Sequence, residues 1–124
     1  SEPVSMSRET TFDRDLHATR DRAELGALFT SLCQRLAEDL QRQGYVGKTI
    51  GVKLRYDNFQ RATRDQTIDG YTADAAVIRK TAGRCLKRAP LERRLRLLGV
   101  KVGNLIRRSG STAAVEASTT LQLF

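Results

Sequence analysis

"GKTIGVKLRYDNFQRATRDQTID", residues 47–69, decides the fold. Its first half alternates strictly, with Ile50, Val52, Leu54 and Tyr56 in one phase and Thr49, Gly51, Lys53 and Arg55 in the other. Successive side chains of a strand point to opposite faces, so this is a half-buried strand whose free face is partly cationic. Asp57 and Asn58 suit a two-residue turn, because both tolerate positive φ and bond to the local backbone. The chain then returns through Gln60, Arg61, Thr63, Arg64, Gln66 and Thr67, a run of hydrogen-bond donors where an apolar phase would be expected. Phe59 is expected to anchor this return strand inward, with Thr63, Arg64 and Gln66 facing outward together; the side taken by Arg61 is left open.

Working outward, residues 21–43 carry Leu25, Leu28, Phe29, Leu32, Leu36 and Leu40 at three- and four-residue spacing, one apolar face of a helix. Asp21 and Glu24 can form a capping box, and Gly44 supplies the stop. Residues 72–88 read as a second helix, capped by Thr72 or Asp74, with Ala75, Ile78, Ala82, Cys85 and Leu86 on one face. Pro90 discourages its continuation. Residues 1–12 read as a first strand. "RLRLLGVKVGNL" reads as a last one, with Leu98, Val100 and Val102 in phase and a bulge expected near Leu97 and Leu98. The order strand, helix, strand, strand, helix, strand predicts an α+β, β-α-β-β-α-β split βαβ fold: a four-stranded antiparallel sheet with both helices on one face.

At 124 residues the chain is one domain's worth. Its 22 Lys and Arg against 14 Asp and Glu give a net charge of +8, which favours a polyanionic partner. Cys33 and Cys85 read as small core residues in a reducing compartment. No apolar run approaches the roughly 20 residues that span a bilayer, so no membrane partner and a cytoplasmic location are expected. The single His, the lack of a Gly-rich phosphate loop and the scattered carboxylates argue against a catalytic or metal site within the chain.

The basic residues are better organised. Lys53 and Arg55 share the non-core phase of one strand, Arg61 and Arg64 lie on the next, Arg8 on the first, and Arg94, Arg96 and Lys101 on the last. Ser5, Ser7, Thr10, Thr63, Gln66 and Thr67 interleave hydroxyls and an amide. Phosphate oxygens only accept hydrogen bonds, so such a donor set suits a sugar-phosphate backbone. Base stacking on central-strand aromatics is not expected, since Tyr56 and Phe59 are assigned to the core.

"SMSRETTF", "GKTIGVKLRYDNFQRATRDQTID" and "RLLGVKVGNL", in this order around two helices, resemble the little-finger (polymerase-associated) domain of Y-family DNA polymerases, most closely the bacterial DNA polymerase IV branch. The resemblance implies a DNA-binding domain of an error-prone translesion polymerase that lays its sheet on primer-template duplex, with Ser5, Ser7, Arg8, Thr10, Thr63, Arg64, Gln66, Arg94 and Arg96 at the family's DNA-contacting positions. It also implies that the catalytic carboxylates and Mg²⁺ belong to palm and fingers domains absent from this chain. The fragment would then hold no cofactor and act as a monomer without its own polymerase activity. Expected boundaries are 1–106 for the domain, 107–119 for a flexible tether and 120–124 for a clamp-binding peptide.

That last peptide, Thr120-Leu121-Gln122-Leu123-Phe124, resembles the Gln-Leu-x-Leu-Phe ends that insert into an apolar groove on the bacterial sliding clamp (beta subunit). Thr120 stands where Gln is usual, which removes an amide group and weakens that contact by about 1 kcal/mol. An alternative makes the chain chiefly a protein-interaction module acting through clamp docking, its basic sheet being only solubilising.

Overall fold

The computed structural model describes residues 3–108. β1 (Ser5–Leu16) leads to α1 (Arg22–Gln43); β2 (Tyr45–Tyr56) and β3 (Arg61–Thr72) form the hairpin; α2 (Ala75–Lys87) precedes β4 (Leu95–Gly103). The strands lie in the order β1-β4-β2-β3 with every neighbour antiparallel. This is the α+β arrangement expected from the sequence, with one addition. β5 (Ile106–Arg107) pairs with the start of β2, Tyr45 opposite Arg107 and Val46 opposite Ile106. Arg107, expected to open a tether, is thus part of a ladder, and the Arg108 N–H donates to the Gly44 carbonyl at 2.8 Å. The rest of the expected tether and the peptide 120–124 lie outside the described residues.

The core sits between the helices and one face of the sheet. α1 buries Leu25, Phe29, Leu32, Cys33, Leu36 and Leu40, the periodic face of the sequence with Leu28 at its margin. α2 buries Ile78, Ala82 and Cys85, and the strands add Ile50, Val52, Leu54, Tyr56, Leu98, Val100 and Val102. Both cysteines are free and buried. Burial pushes the Cys33 thiol up to about 11, which keeps it protonated and unreactive.

The helix ends differ in how far the sequence foretold them. Gly44 caps α1 in the left-handed region at φ 78°, and its N–H bonds back to Gln41 and Leu40 carbonyls, as its type predicts. The capping box does not form: Asp21 makes no side-chain cap bond to α1. Its carboxylate instead accepts from the His17 N–H at 2.8 Å, while Glu24 reaches Arg14 at 2.7 Å. That His17 hydrogen bond is also the main reason the Asp21 carboxyl is held below its ordinary value. At α2, Asp74 is the cap and accepts from the Val77 N–H, and Thr72 in turn accepts from the Asp74 N–H.

The register shifts in β1 between Thr11 and Leu16, in β2 between Gly47 and Thr49, and between β2 and β4 at Arg55 and Tyr56; the last of these and the hairpin turn bear on the site. On β4, Leu95 and Leu97 oppose the adjacent Tyr56 and Arg55, so Arg96 is an extra, bulged residue. The bulge lets Leu95 and Leu98 both reach the core and turns Leu97 to the other face, which explains the phase change in the sequence. The hairpin turn has three residues rather than two: Phe59 N–H donates to the Tyr56 carbonyl and Tyr56 N–H to the Gln60 carbonyl, both at 2.9 Å. Phe59 therefore sits in the turn, outside the pleat that would have aimed it inward, and it is 62% exposed rather than buried.

Candidate nucleic-acid interface

Directly paired residues of antiparallel strands share a face, so the registers sort the sheet side by side. The rows Met6, Val102, Ile50, Gln66; Arg8, Val100, Val52, Arg64; and Thr10, Leu98, Leu54, Ala62 run across the helix-covered face. On the face that neither α1 nor α2 covers, the rows are Ser5, Gly103, Thr49, Thr67; Ser7, Lys101, Gly51, Asp65; Glu9, Gly99, Lys53, Thr63; and Thr11, Leu97, Arg55, Arg61.

Of the donors singled out in the sequence, Ser5, Ser7, Lys53, Arg55, Thr63, Thr67 and Lys101 therefore come together on the open face. Arg8, Thr10, Arg64 and Gln66 do not join them. They lie on the helix side of the two edge strands, so the single outward surface expected of Thr63, Arg64 and Gln66 is divided by the pleat. Arg61, whose side the sequence left open, faces outward opposite Arg55.

The arginines on the helix side and at the start of β4 have partners. Arg8 donates twice to the Asp39 carboxylate, Nε to Oδ2 at 2.7 Å and Nη2 to Oδ1 at 3.0 Å. That bond and charge raise the Arg8 pKa. Arg64 donates to the Thr63 carbonyl at 2.7 Å. Arg94 lies 3.7 Å from Asp21, and Arg96 lies 3.6 Å from Asp15 with its guanidinium over the Phe59 ring.

Sequence reasoning missed two carboxylates, Glu9 and Asp65, although the same period of two that selects Ser7 and Thr63 also selects them. Glu9 pairs with Lys53 at 3.3 Å. With Ser7, Thr63 and Lys101 these side chains rim a shallow trough over Gly51 and Gly99. Both glycines are needed for its depth. A Cβ on Gly51 would collide with the Asp65 carboxylate and come within 2.9 Å of the Arg64 carbonyl, and one on Gly99 would lie 3.1 Å from Glu9 Cβ. The open face is thus a ridge of hydroxyl and cationic donors around a low centre that carries two negative charges.

Among the described residues no cluster of three or more His, Cys, Asp or Glu side chains could hold a metal ion. Among them, too, no helix is long and apolar enough to cross a membrane.

Residues 3–116 match the impB/mucB/samB family C-terminal domain. DNA polymerase IV of Streptomyces coelicolor is 38% identical over 104 residues, 84% of this chain and 21% of that protein. Human DNA polymerase kappa is 35% identical over 108 residues, 83% of this chain and 12% of that protein. The chain spans about a fifth of the first relative's length and less of the second's. Among solved structures, the little finger domain of PolIV in complex with the beta-clamp processivity factor aligns with a TM-score of 0.66 at 24% identity, over 96% of this chain and 99% of that one. A DinB family error-prone DNA polymerase from Sulfolobus solfataricus gives 0.69 at 15% identity, over 85% of this chain and 30% of that one. These two likenesses carry the fold, and the sequence match carries the family. With every described strand and helix inside the matched residues, the chain belongs to the impB/mucB/samB family C-terminal domain, the little finger of Y-family DNA polymerases.

Proposed function

We infer that this domain is a non-catalytic grip on primer-template duplex within a translesion polymerase of the DNA polymerase IV type, acting in the cytoplasm and joined to the sliding clamp by its C-terminal segment. The observation that carries the reading is the uncovered sheet face. Lys53, Arg55, Arg61 and Lys101 share it with Ser5, Ser7, Thr49, Thr63 and Thr67. Hydroxyl and cationic donors suit phosphate oxygens, which every sequence presents alike. Glu9 and Asp65 repel phosphate at the centre. They moderate affinity, which a domain that must advance with each added nucleotide requires. Nucleotide chemistry and Mg²⁺ belong, on this reading, to palm and fingers domains of the parent polymerase.

Titrating labelled primer-template duplex with the chain at several salt concentrations tests the grip. Log affinity should fall against log salt with a slope of about −2 to −3, and Lys101→Gln should flatten it by about one without creating a sequence preference. A slope near zero would refute duplex gripping.

The clamp link is supported by the 120–124 peptide and by the clamp complex of the structurally similar PolIV little finger. Deleting residues 121–124 should abolish binding to the bacterial clamp while duplex affinity stays unchanged. Clamp binding that survives the deletion would refute tail docking.

A further inference from the structure

The hairpin tip carries a residue that folding alone does not explain. Phe59 follows a tight turn in the left-handed region, at φ 68°. The turn is closed by the Tyr56 and Gln60 backbone bonds and by the Asn58 side chain, which accepts from the Gln60 N–H at 3.1 Å. Gly or Asn fills such a bulge position with little strain, whereas an aromatic residue does so at a cost. Burial does not offset that cost, because the ring is 62% exposed. Its contact in the fold is the Arg96 guanidinium, 4.6 Å from the ring centroid.

The neighbouring row of the open face has an unresolved charge. Arg55 and Arg61 are directly opposite one another, a like-charge pair that destabilises a hairpin unless something neutralises it. Among the described residues neither side chain has an ion pair or hydrogen bond, and the Arg55 Nε is buried without a partner. In the same row, between Thr11 and Arg55, lies Leu97, already buried beneath its neighbours. An exposed strained ring and two unneutralised guanidiniums thus lie at the same end of the sheet.

We propose that this corner binds one unpaired nucleotide of a nucleic-acid strand, its base stacked on Phe59 and its phosphate held by Arg55 and Arg61. Each half of the site answers one anomaly. A base has a π-face that stacks on an aromatic ring whatever its identity. A phosphate accepts from both arginines at once and cancels their repulsion. Arg96, held over the ring and beside Asp15, keeps Phe59 in place for stacking. The inference does not rest on duplex gripping, with which it shares only Arg55 and Arg61.

The test compares a short oligo(dT) strand, a blunt duplex and the same duplex with a 5′ overhang, each labelled and titrated with the 124-residue chain. Phe59→Asn keeps a residue suited to the left-handed position. It should weaken oligo(dT) binding about tenfold and abolish any gain from the overhang, while blunt-duplex affinity and Tm stay at wild-type values. Arg61→Gln should weaken oligo(dT) as well. Equal oligo(dT) affinity in wild type and Phe59→Asn would overturn the proposal. So would a lower Tm in Phe59→Asn, which would make the ring a structural element. A wild-type chain that binds blunt duplex but ignores oligo(dT) would also overturn it and assign the ring to a protein contact. Loss of blunt-duplex binding alone would strike the duplex reading and leave this one standing.

Discussion

Asp39→Asn lowers the folding stability by about 2 kcal/mol at pH 7 and removes the part of the acid stability loss between pH 4 and pH 2 that Asp39 contributes. Asp39 is 7% exposed on α1 and accepts from Arg8 across the sheet edge and from Arg42 one turn along the helix, at 2.7 to 3.0 Å. The Arg8 hydrogen bond above all, and the Arg42 bond after it, hold the carboxyl at about 2, against an ordinary 3.8. A carboxyl depressed on folding contributes stability that is complete above its unfolded value and disappears as pH falls through its folded value. The window therefore opens near pH 4 and closes near pH 2. Urea denaturation at pH 7 and at pH 2.5 checks this: the difference between the two proteins should shrink to about a third at the second pH. Equal midpoints at pH 7 would show that solvation of Arg8, whose side chain is 40% exposed, replaces the pair at no cost.

Phe29→Ala should cost about 3 to 4 kcal/mol, read as a lower urea midpoint with an unchanged slope. The ring is 2% exposed and fills the junction of the two helices. Arg79 from α2 lies over it at 4.4 Å and donates to Thr30 Oγ1 at 3.1 Å, so the arginine bridges to α1 twice. Gly83 lies beside this contact: a methyl there would touch Phe29 Cε2 at an ordinary 4.0 Å and press on Arg79 Nη1 at 3.1 Å. Truncation removes the ring and the face on which Arg79 rests, leaving a cavity between rigid elements. Phe29→Leu keeps part of the volume and should recover about half of the loss. A change below about 1 kcal/mol for Phe29→Ala would mean that α2 collapses onto α1 and closes the space.

The helices and the central strands were legible because each carries one period against one core. Leu25 to Leu40 could only be a helical face, and Ile50 to Tyr56 only a strand face. β3 was legible as a strand but not by face. At the sheet edge the helix side is only partly covered, so Arg64 and Gln66 are tolerated there beside Ala62 and Ile68, all half-buried, and polarity stops reporting direction. Turn length separates the faces: three residues rather than two set Arg55 opposite Arg61, and the pairing follows from there as far as Thr67. The misplacement of Phe59 has the same origin, an aromatic side chain read as an anchor when it stands in the turn itself. The capping box failed for a local reason, because the His17 N–H competes for the same carboxylate. Glu9 and Asp65 were overlooked because they oppose the charge that attracted attention to the sheet.

The two-residue ladder of β5 also sets how the domain bears tension. The chain leaves it at Arg108, whose N–H is bonded to the carbonyl of Gly44, the residue whose own N–H closes α1. A pull from beyond that point loads this bond first, then the Tyr45 and Val46 pairs in turn, because antiparallel strands drawn apart from one end open like a zip. β4 feels the force only after these pairs have parted, and its long ladders to β1 and β2 resist it together. β5 is thus a short ladder in series with long ones, and it parts before the fold itself is strained.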